Sequence, residues 1–127
     1  MKLLHTMIRV KDIKKSLEFY TKLFDLKLAK EKRLADCTLY FLSDEEGYTQ
    51  IELTLNDETP QNGYEIGTGF GHFAFEVTSM AEFTKKLHDL GYEYLYEPYN
   101  LQGISSTIAF VKDPDGYEVE LVEKSNG

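Results

Sequence analysis

The sequence predicts an α+β domain made of two tandem βαβββ modules, and three observations predict it. A strand, a helix and three further strands can be read twice in the same order. A His in the first strand and a Glu in the last recur in each half, His5 with Glu52 and His72 with Glu120, 47 and 48 residues apart. Turn signals, Asp44-Glu45-Glu46-Gly47 and Asp113-Pro114-Asp115-Gly116, fall just ahead of the last strand of each half. The modules are placed at 1–58 and 69–125, joined by a polar, glycine-bearing linker over 59–68. Together they form one domain over 1–127, a length that buries roughly two-thirds of the unfolded surface.

Residues 3–10 alternate around β-branched and apolar positions and read as a strand. Residues 12–24 read as an amphipathic helix, with Asp12 as N-cap and an apolar stripe at Ile13, Leu17, Tyr20 and Phe24. Strands are expected at 26–31, 37–43 and 49–55. In the second half the expected elements are a strand at 71–77, a helix over 80–90 capped by Ser79 and stopped at Gly91, and strands at about 92–96, 105–111 and 117–123. Loop 97–106, which contains Gly103, is a candidate cover for a site.

Residues two apart in a strand share a face. His5, Met7 and Arg9 therefore point one way, as do Gln50, Glu52 and Thr54, then His72, Ala74 and Glu76, then Glu118, Glu120 and Val122. The opposite faces carry Thr6, Ile8 and Val10, then Ile51, Leu53 and Leu55, then Phe73, Phe75 and Val77, then Val119, Leu121 and Glu123. Those apolar sets are the expected core against the helices. The His/Glu faces are left to line a curved, solvent-reachable side of the sheet.

Composition narrows the function classes. Hydrophobic residues make up 42% and charged residues 28%, as in a soluble globular protein. No apolar run approaches the roughly 20 residues of a membrane span, and the N-terminus carries no signal-peptide pattern. The single cysteine, Cys37, fits a reducing cytoplasm and reads as a small buried apolar residue. A net charge of −8 argues against nucleic acid as a partner. Residues 1–58 hold 10 basic and 11 acidic groups, residues 59–127 hold 4 and 11. An anionic ligand would thus be held by particular cations, not by the overall field.

Two imidazoles and two carboxylates at repeated positions, His5, Glu52, His72 and Glu120, are a donor set for one divalent metal ion. Neutral nitrogen with hard oxygen suits Ni, Co, Mn, Fe or Zn with open positions for water, unlike a closed structural zinc site. His88, near the end of the second helix, reads instead as a cation favoured by the helix dipole. Phe70, Phe73, Tyr64 and Met7 are candidates for an apolar wall.

Leu3-Leu4-His5-Thr6-Met7-Ile8-Arg9-Val10, Ile51-Glu52-Leu53-Thr54, Tyr64-Glu65-Ile66-Gly67-Thr68-Gly69-Phe70-Gly71-His72 and Asp113-Pro114-Asp115-Gly116-Tyr117-Glu118-Val119-Glu120-Leu121 together resemble the bacterial glyoxalase I (lactoylglutathione lyase) family of the vicinal-oxygen-chelate superfamily. The likeness runs from about residue 1 to 124. It implies the glyoxalase/bleomycin-resistance/dioxygenase fold, a curved mixed sheet around a metal site. It implies His5, Glu52, His72 and Glu120 as metal ligands, with two waters completing an octahedron. Nickel or cobalt is the favoured metal, with zinc as the remaining candidate. The resemblance further implies a homodimer in which each site takes His5 and Glu52 from one subunit and His72 and Glu120 from the other.

The implied reaction isomerises the hemithioacetal of methylglyoxal and glutathione to S-lactoylglutathione by proton transfer through an enediolate. Glu120 is the base, with Glu52 assisting from the opposite side. Arg9 and Asn56 match family positions that hold the thiol. The chain departs from the family pattern at Gln102, where a basic residue usually stands, and so forgoes a charge-assisted contact worth roughly 1.5–3 kcal/mol. Another low-molecular-weight thiol is therefore an alternative. So are an epimerase, which usually has Gln in place of Glu52, and a ring-cleaving dioxygenase or a fosfomycin-type thiol transferase, each with three protein ligands. A metal-free drug-binding module is the non-enzyme reading.

Overall fold

The computed structural model describes every residue except 102, 104, 126 and 127. The chain divides into two compact units, Met1–Glu65 and Ile66–Gly127, and each folds as βαβββ.

In the N-terminal unit, β1 (His5–Arg9) leads into α1 (Ile13–Glu18), then β2 (Lys27–Arg33), β3 (Cys37–Ser43) and β4 (Gln50–Asn56). The sheet order is β1-β4-β3-β2. β1 lies parallel to β4, and the other pairs are antiparallel. The C-terminal unit repeats this with β5 (His72–Glu76), α2 (Met80–Asp89), β6 (Tyr96–Asn100), β7 (Ser106–Lys112) and β8 (Glu118–Lys124), in the order β5-β8-β7-β6. A parallel pair needs a crossover, and the helix of each unit supplies it. Among the described residues no helix is long and apolar enough to cross a membrane.

Both helices start at the predicted caps. The Asp12 carboxylate accepts from the Lys15 N–H at 3.1 Å, and Ser79 Oγ accepts from the Glu82 N–H at 3.1 Å. α2 is regular and buries Met80, Phe83 and Leu87. α1 departs from the expected single helix over 12–24, because Phe19–Leu23 forms a π-helical turn. The cause is one extra residue. Ser79 to the left-handed Gly91 is 12 residues, whereas Asp12 to the left-handed Asp25 is 13. The closing bond shows the same difference: Tyr92 N–H reaches back five residues to Leu87 O, and Leu26 N–H reaches back six to Tyr20 O. A π turn absorbs an insertion without breaking the helix. It also rotates the last turn by about 100° relative to an uninterrupted α-helix. Of the expected stripe only Tyr20 is fully buried; Ile13, Leu17 and Phe24 are half-buried, and Ser16, Phe19 and Leu23 take the interior.

The apolar sides turn inward as expected, but three positions depart from the expected pattern: Glu52 and Thr54, on the face expected to be solvent-reachable, are buried, and Thr6, expected in the core, is exposed. Ile8, Val10 and Leu53 are buried on one face of the first sheet, and Val119 and Leu121 on the matching face of the second. Ile51, Leu55, Phe73, Phe75 and Val77 on those faces are half-buried. Glu123 is charged yet sits on the apolar side. Its Oε2 accepts the Met80 N–H at 2.6 Å, so the carboxylate meets the positive end of α2. A strand charge thereby ties the helix start to β8.

One element is displaced from its predicted place. The strand expected at 92–96 lies at Tyr96–Asn100, so the expected loop 97–106 is shortened at its start. Residues 92–95 are held elsewhere: Tyr94 OH and Thr84 Oγ1 share a 2.6 Å hydrogen bond against α2, and only Leu95 N–H reaches Phe110 O. Cys37 is half-buried at the start of β3, not an interior residue. His88 lies in the last turn of α2, 3.7 Å from Glu93 and edge-on to Tyr94, as a structural residue would.

Replacing Ser79 with alanine orphans a helix-start N–H and is expected to cost about 1 kcal/mol. Urea unfolding should show a lower midpoint with an unchanged slope.

Candidate metal centre

The parallel strand pair of each unit builds a His–Glu pair by register. His5 pairs with Gln50 and Glu52 with Met7, so the His and the Glu stand one same-face step apart on neighbouring strands. β5 and β8 repeat this, with His72 opposite Glu118 and Glu120 opposite Ala74. The side chains meet accordingly. His5 Nε2 lies 3.1 Å from Glu52 Oε1, and His72 Nε2 lies 3.4 Å from Glu120 Oε1. Each imidazole is about two-fifths exposed, whereas the carboxylates lie deeper, at 10% and 18%.

The third strand of each sheet adds a support that the sequence reading missed. Phe41 is opposite Glu52 and Phe110 is opposite Glu120. Each ring stands edge-on to its histidine, at 5.6 Å and 74° for His5–Phe41 and 5.1 Å and 89° for His72–Phe110. An edge-to-face ring restricts imidazole rotation, so Nε2 stays aimed at the carboxylate. The signal in the sequence is Tyr40-Phe41-Leu42 set against Ala109-Phe110-Val111, one Phe at matched positions of the third strands. Aromatic residues are so common in strands that this does not stand out.

Two further residues expected at the site fall on the same face. Arg9 is exposed and in register with Thr54. Asn56 follows Thr54 on that face, and its Nδ2 donates to Tyr64 OH at 3.0 Å. Four residues of strand put Arg9 about 13 Å from His5, and Asn56 equally far from Glu52. Both stand at the same end of the β1–β4 pair. In the C-terminal unit Glu76 takes the place of Arg9 and pairs with Lys124 at 3.4 Å. Met7 is on the site face and partly exposed. Phe73 is not: it occupies the opposite face and packs with Phe70 and Phe75. Gln102 lies outside the described residues.

The donor pairs fit a divalent ion. A nitrogen and an oxygen each about 2.0–2.1 Å from one ion stand about 2.9–3.4 Å apart, for angles between octahedral and tetrahedral. The two observed separations fall in that range. Within neither unit does a third His, Cys, Asp or Glu among the described residues join the pair. Each unit therefore offers two candidate ligands.

Beside Asn56, Asp57 accepts a two-pronged pair from Arg33, 2.6 Å at each oxygen. The guanidinium hydrogen bonds hold the Asp57 carboxyl below the ordinary aspartate range, and the Arg33 value rises in turn.

Comparisons with known proteins agree on one family. Residues 2–121 match the model of the Glyoxalase/Bleomycin resistance protein/Dioxygenase superfamily. The chain is 38% identical over 130 residues to a lactoylglutathione lyase of Escherichia coli, covering 99% of this chain and 95% of that protein. The crystal structure of glyoxalase I from Zea mays superposes with a TM-score of 0.86 at 33% identity over 98% of this chain. The chain spans only 45% of that maize protein. A trypanothione-dependent glyoxalase I of Leishmania major gives a TM-score of 0.81 at 33% identity, covering 98% of this chain and 87% of that one.

Because the Asp57 value is depressed, its pairing with Arg33 contributes at neutral pH and is lost as pH falls through the lowered value. In an NMR titration of the carboxyl carbon, Arg33→Gln should move the Asp57 midpoint up toward the ordinary range. An unmoved midpoint would mean that the ion pair does not persist in solution.

Proposed function

The chain belongs to the Glyoxalase/Bleomycin resistance protein/Dioxygenase superfamily, and from that premise we propose that it is a lactoylglutathione lyase of methylglyoxal detoxification. It isomerises the hemithioacetal of methylglyoxal and glutathione to S-lactoylglutathione. The observation that carries the reading is the His–Glu pair built twice on parallel strands, at 3.1 and 3.4 Å, in a chain 38% identical to a named lactoylglutathione lyase over nearly its whole length.

His5, Glu52, His72 and Glu120 hold one divalent ion, nickel or cobalt in preference to zinc. Each unit supplies one His and one Glu, and the likeness to the glyoxalase I family implies that two chains share the full set, His5 and Glu52 from one and His72 and Glu120 from the other. When bound, the ion stabilises the negative charge that develops on the substrate oxygens as the proton leaves. Two ligand carboxylates leave a divalent ion near neutral, so it still tolerates that anion.

The chain's own groups do the rest. Glu120 takes the proton from the hemithioacetal carbon and returns it to the neighbouring carbonyl carbon. The first carbon is oxidised to the thioester level and the second reduced to an alcohol, with no outside reductant. Glu52 assists from the opposite side by holding its position, not by taking a proton. Arg9 holds a carboxylate of the thiol through a two-pronged contact, and Asn56, steadied by Tyr64, reads an amide. Their distance of about 13 Å from the ligand pair, less the reach of an arginine, suits an extended three-residue thiol. Met7 lines the path of the substrate methyl group. The single cysteine fits a cytoplasmic setting.

A second reading, the same chemistry on another low-molecular-weight thiol, draws on Gln102 standing where the family usually has a cation. It draws also on a relative described as trypanothione-dependent.

The test is thioester formation by metal-stripped protein given nickel, methylglyoxal and glutathione. Nickel-dependent thioester is expected, and none with nickel fully bound would overturn the glutathione reading. Glu120→Gln should lower kcat by about 10²–10⁴-fold. Arg9→Gln should raise KM about ten-fold or more and spare kcat, as loss of a charged contact to a distant carboxylate does.

A further inference from the structure

The two carboxylates of the repeated pair are held differently, and the difference is a single side chain. Glu52 is nearly buried, and so is Thr54, the next residue on its face. Thr54 Oγ1 donates to Glu52 Oε2 at 2.8 Å, while Glu52 Oε1 faces His5 at 3.1 Å. Both oxygens of Glu52 are thus engaged. In the C-terminal unit the place of Thr54 is taken by Val122: Arg9 pairs with Thr54 in β1–β4 as Glu76 pairs with Val122 in β5–β8. Valine has no hydrogen to donate. Among the described residues the only polar partner of the Glu120 side chain is His72, at 3.4 Å on Oε1, and Oε2 has none.

From this asymmetry we infer that Thr54 is a positioning residue, which pins Glu52 as the fixed anchor of the bound metal and leaves Glu120 as the carboxylate free to move. The inference deepens the proposed function and rests on it. A ligand carboxylate can serve as a base only if one oxygen leaves the ion, and a buried hydroxyl donor opposes that motion. The bond to Thr54 orients Glu52 and fixes which lone pairs remain for metal. Losing it frees the carboxylate to turn, which costs order in the site. Glu120 has one oxygen without such a bond and more exposure, so its reorientation breaks no hydrogen bond to a neighbouring side chain. The repeat gives two equivalent carboxylates, and the Thr/Val difference gives them separate work.

Three single variants test this in the full chain. Thr54→Val should weaken nickel binding about ten-fold or more in competition with a chromophoric chelator. It should also change the visible absorption of the cobalt-loaded protein. Thr54→Ser keeps the hydroxyl and should restore both within about two-fold, which separates loss of the bond from loss of packing. Val122→Thr places a donor beside Glu120. It should lower kcat about ten-fold or more while nickel affinity is kept or improved. Nickel affinity in Thr54→Val equal to that of the unaltered protein would overturn the inference, as would an unchanged kcat in Val122→Thr. The affinity and absorption measurements need no substrate. If the unaltered protein binds nickel but shows no activity with glutathione, they still decide the role of Thr54, and only the thiol assignment fails. Absence of nickel and cobalt binding by the unaltered protein would overturn both.

Discussion

Everything at the site depends on one register, that of the parallel pair of strands in each unit. Pairing His5 with Gln50 and Glu52 with Met7 puts imidazole and carboxylate on the same face and in contact. The side-chain period of a strand is two, so a slip of one residue would turn Glu52 into the interior and expose Leu53. The register is fixed from behind. Ile8, Val10 and Leu53 are buried on the opposite face, as are Val119 and Leu121 in the other unit. Covering apolar area at roughly 25 cal/mol per Å² outweighs any preference the polar face has of its own. The core therefore positions the pair: the imidazole stays partly exposed, while the buried Glu52 is satisfied by the Thr54 hydroxyl on one oxygen and faces His5 with the other.

The parallel pair also dictates the crossover, and the crossovers show how far the two units have diverged. α2 runs from a serine cap to a left-handed glycine without interruption, while α1 carries one more residue and takes a π turn. The frame absorbs the insertion, and β1 and β4 keep the register of β5 and β8. On that common frame the site-facing substitutions stand out. Thr54 answers to Val122, Arg9 to Glu76, and on the edge strands Lys30 beside Phe41 answers to Tyr96 beside Phe110. Shared positions carry the ligand pair and its aromatic support; divergent positions carry donors, cations and aromatic edges.

The sequence discloses what is periodic. Strand alternation, the Asp12 and Ser79 caps, and the repeated His and Glu follow from local rules, and the structure places them accordingly. What it hides depends on partners distant along the chain. Nothing local ties Tyr94 to Thr84, so periodicity alone puts the strand after α2 four residues early. The π turn follows only from counting cap to left-handed residue in both halves. An Asp at the left-handed position of α1 masks it, since Gly is the usual signal there. Phe41 and Phe110 look like ordinary strand aromatics, and Thr54 like an ordinary strand threonine. Each acquires meaning only from the register that sets it against a histidine or a glutamate.

Charge distribution bears on which unit receives the anionic part of a substrate. Residues 59–127 hold 4 basic groups against 11 acidic, and Lys124 is drawn to Glu76. Residues 1–58 are near balance, and their site-facing strands carry Arg9 and, across the sheet, Lys27, Lys30 and Lys32. Register puts Lys30 opposite Phe41, which is opposite Glu52, so these cations share the ligand face. Lysines on an edge strand also discourage pairing with another sheet, and that role alone would be served on either face. An anion near the C-terminal unit would meet net repulsion; near the N-terminal unit it meets an arginine and amines at short range, where solvent screening is weakest.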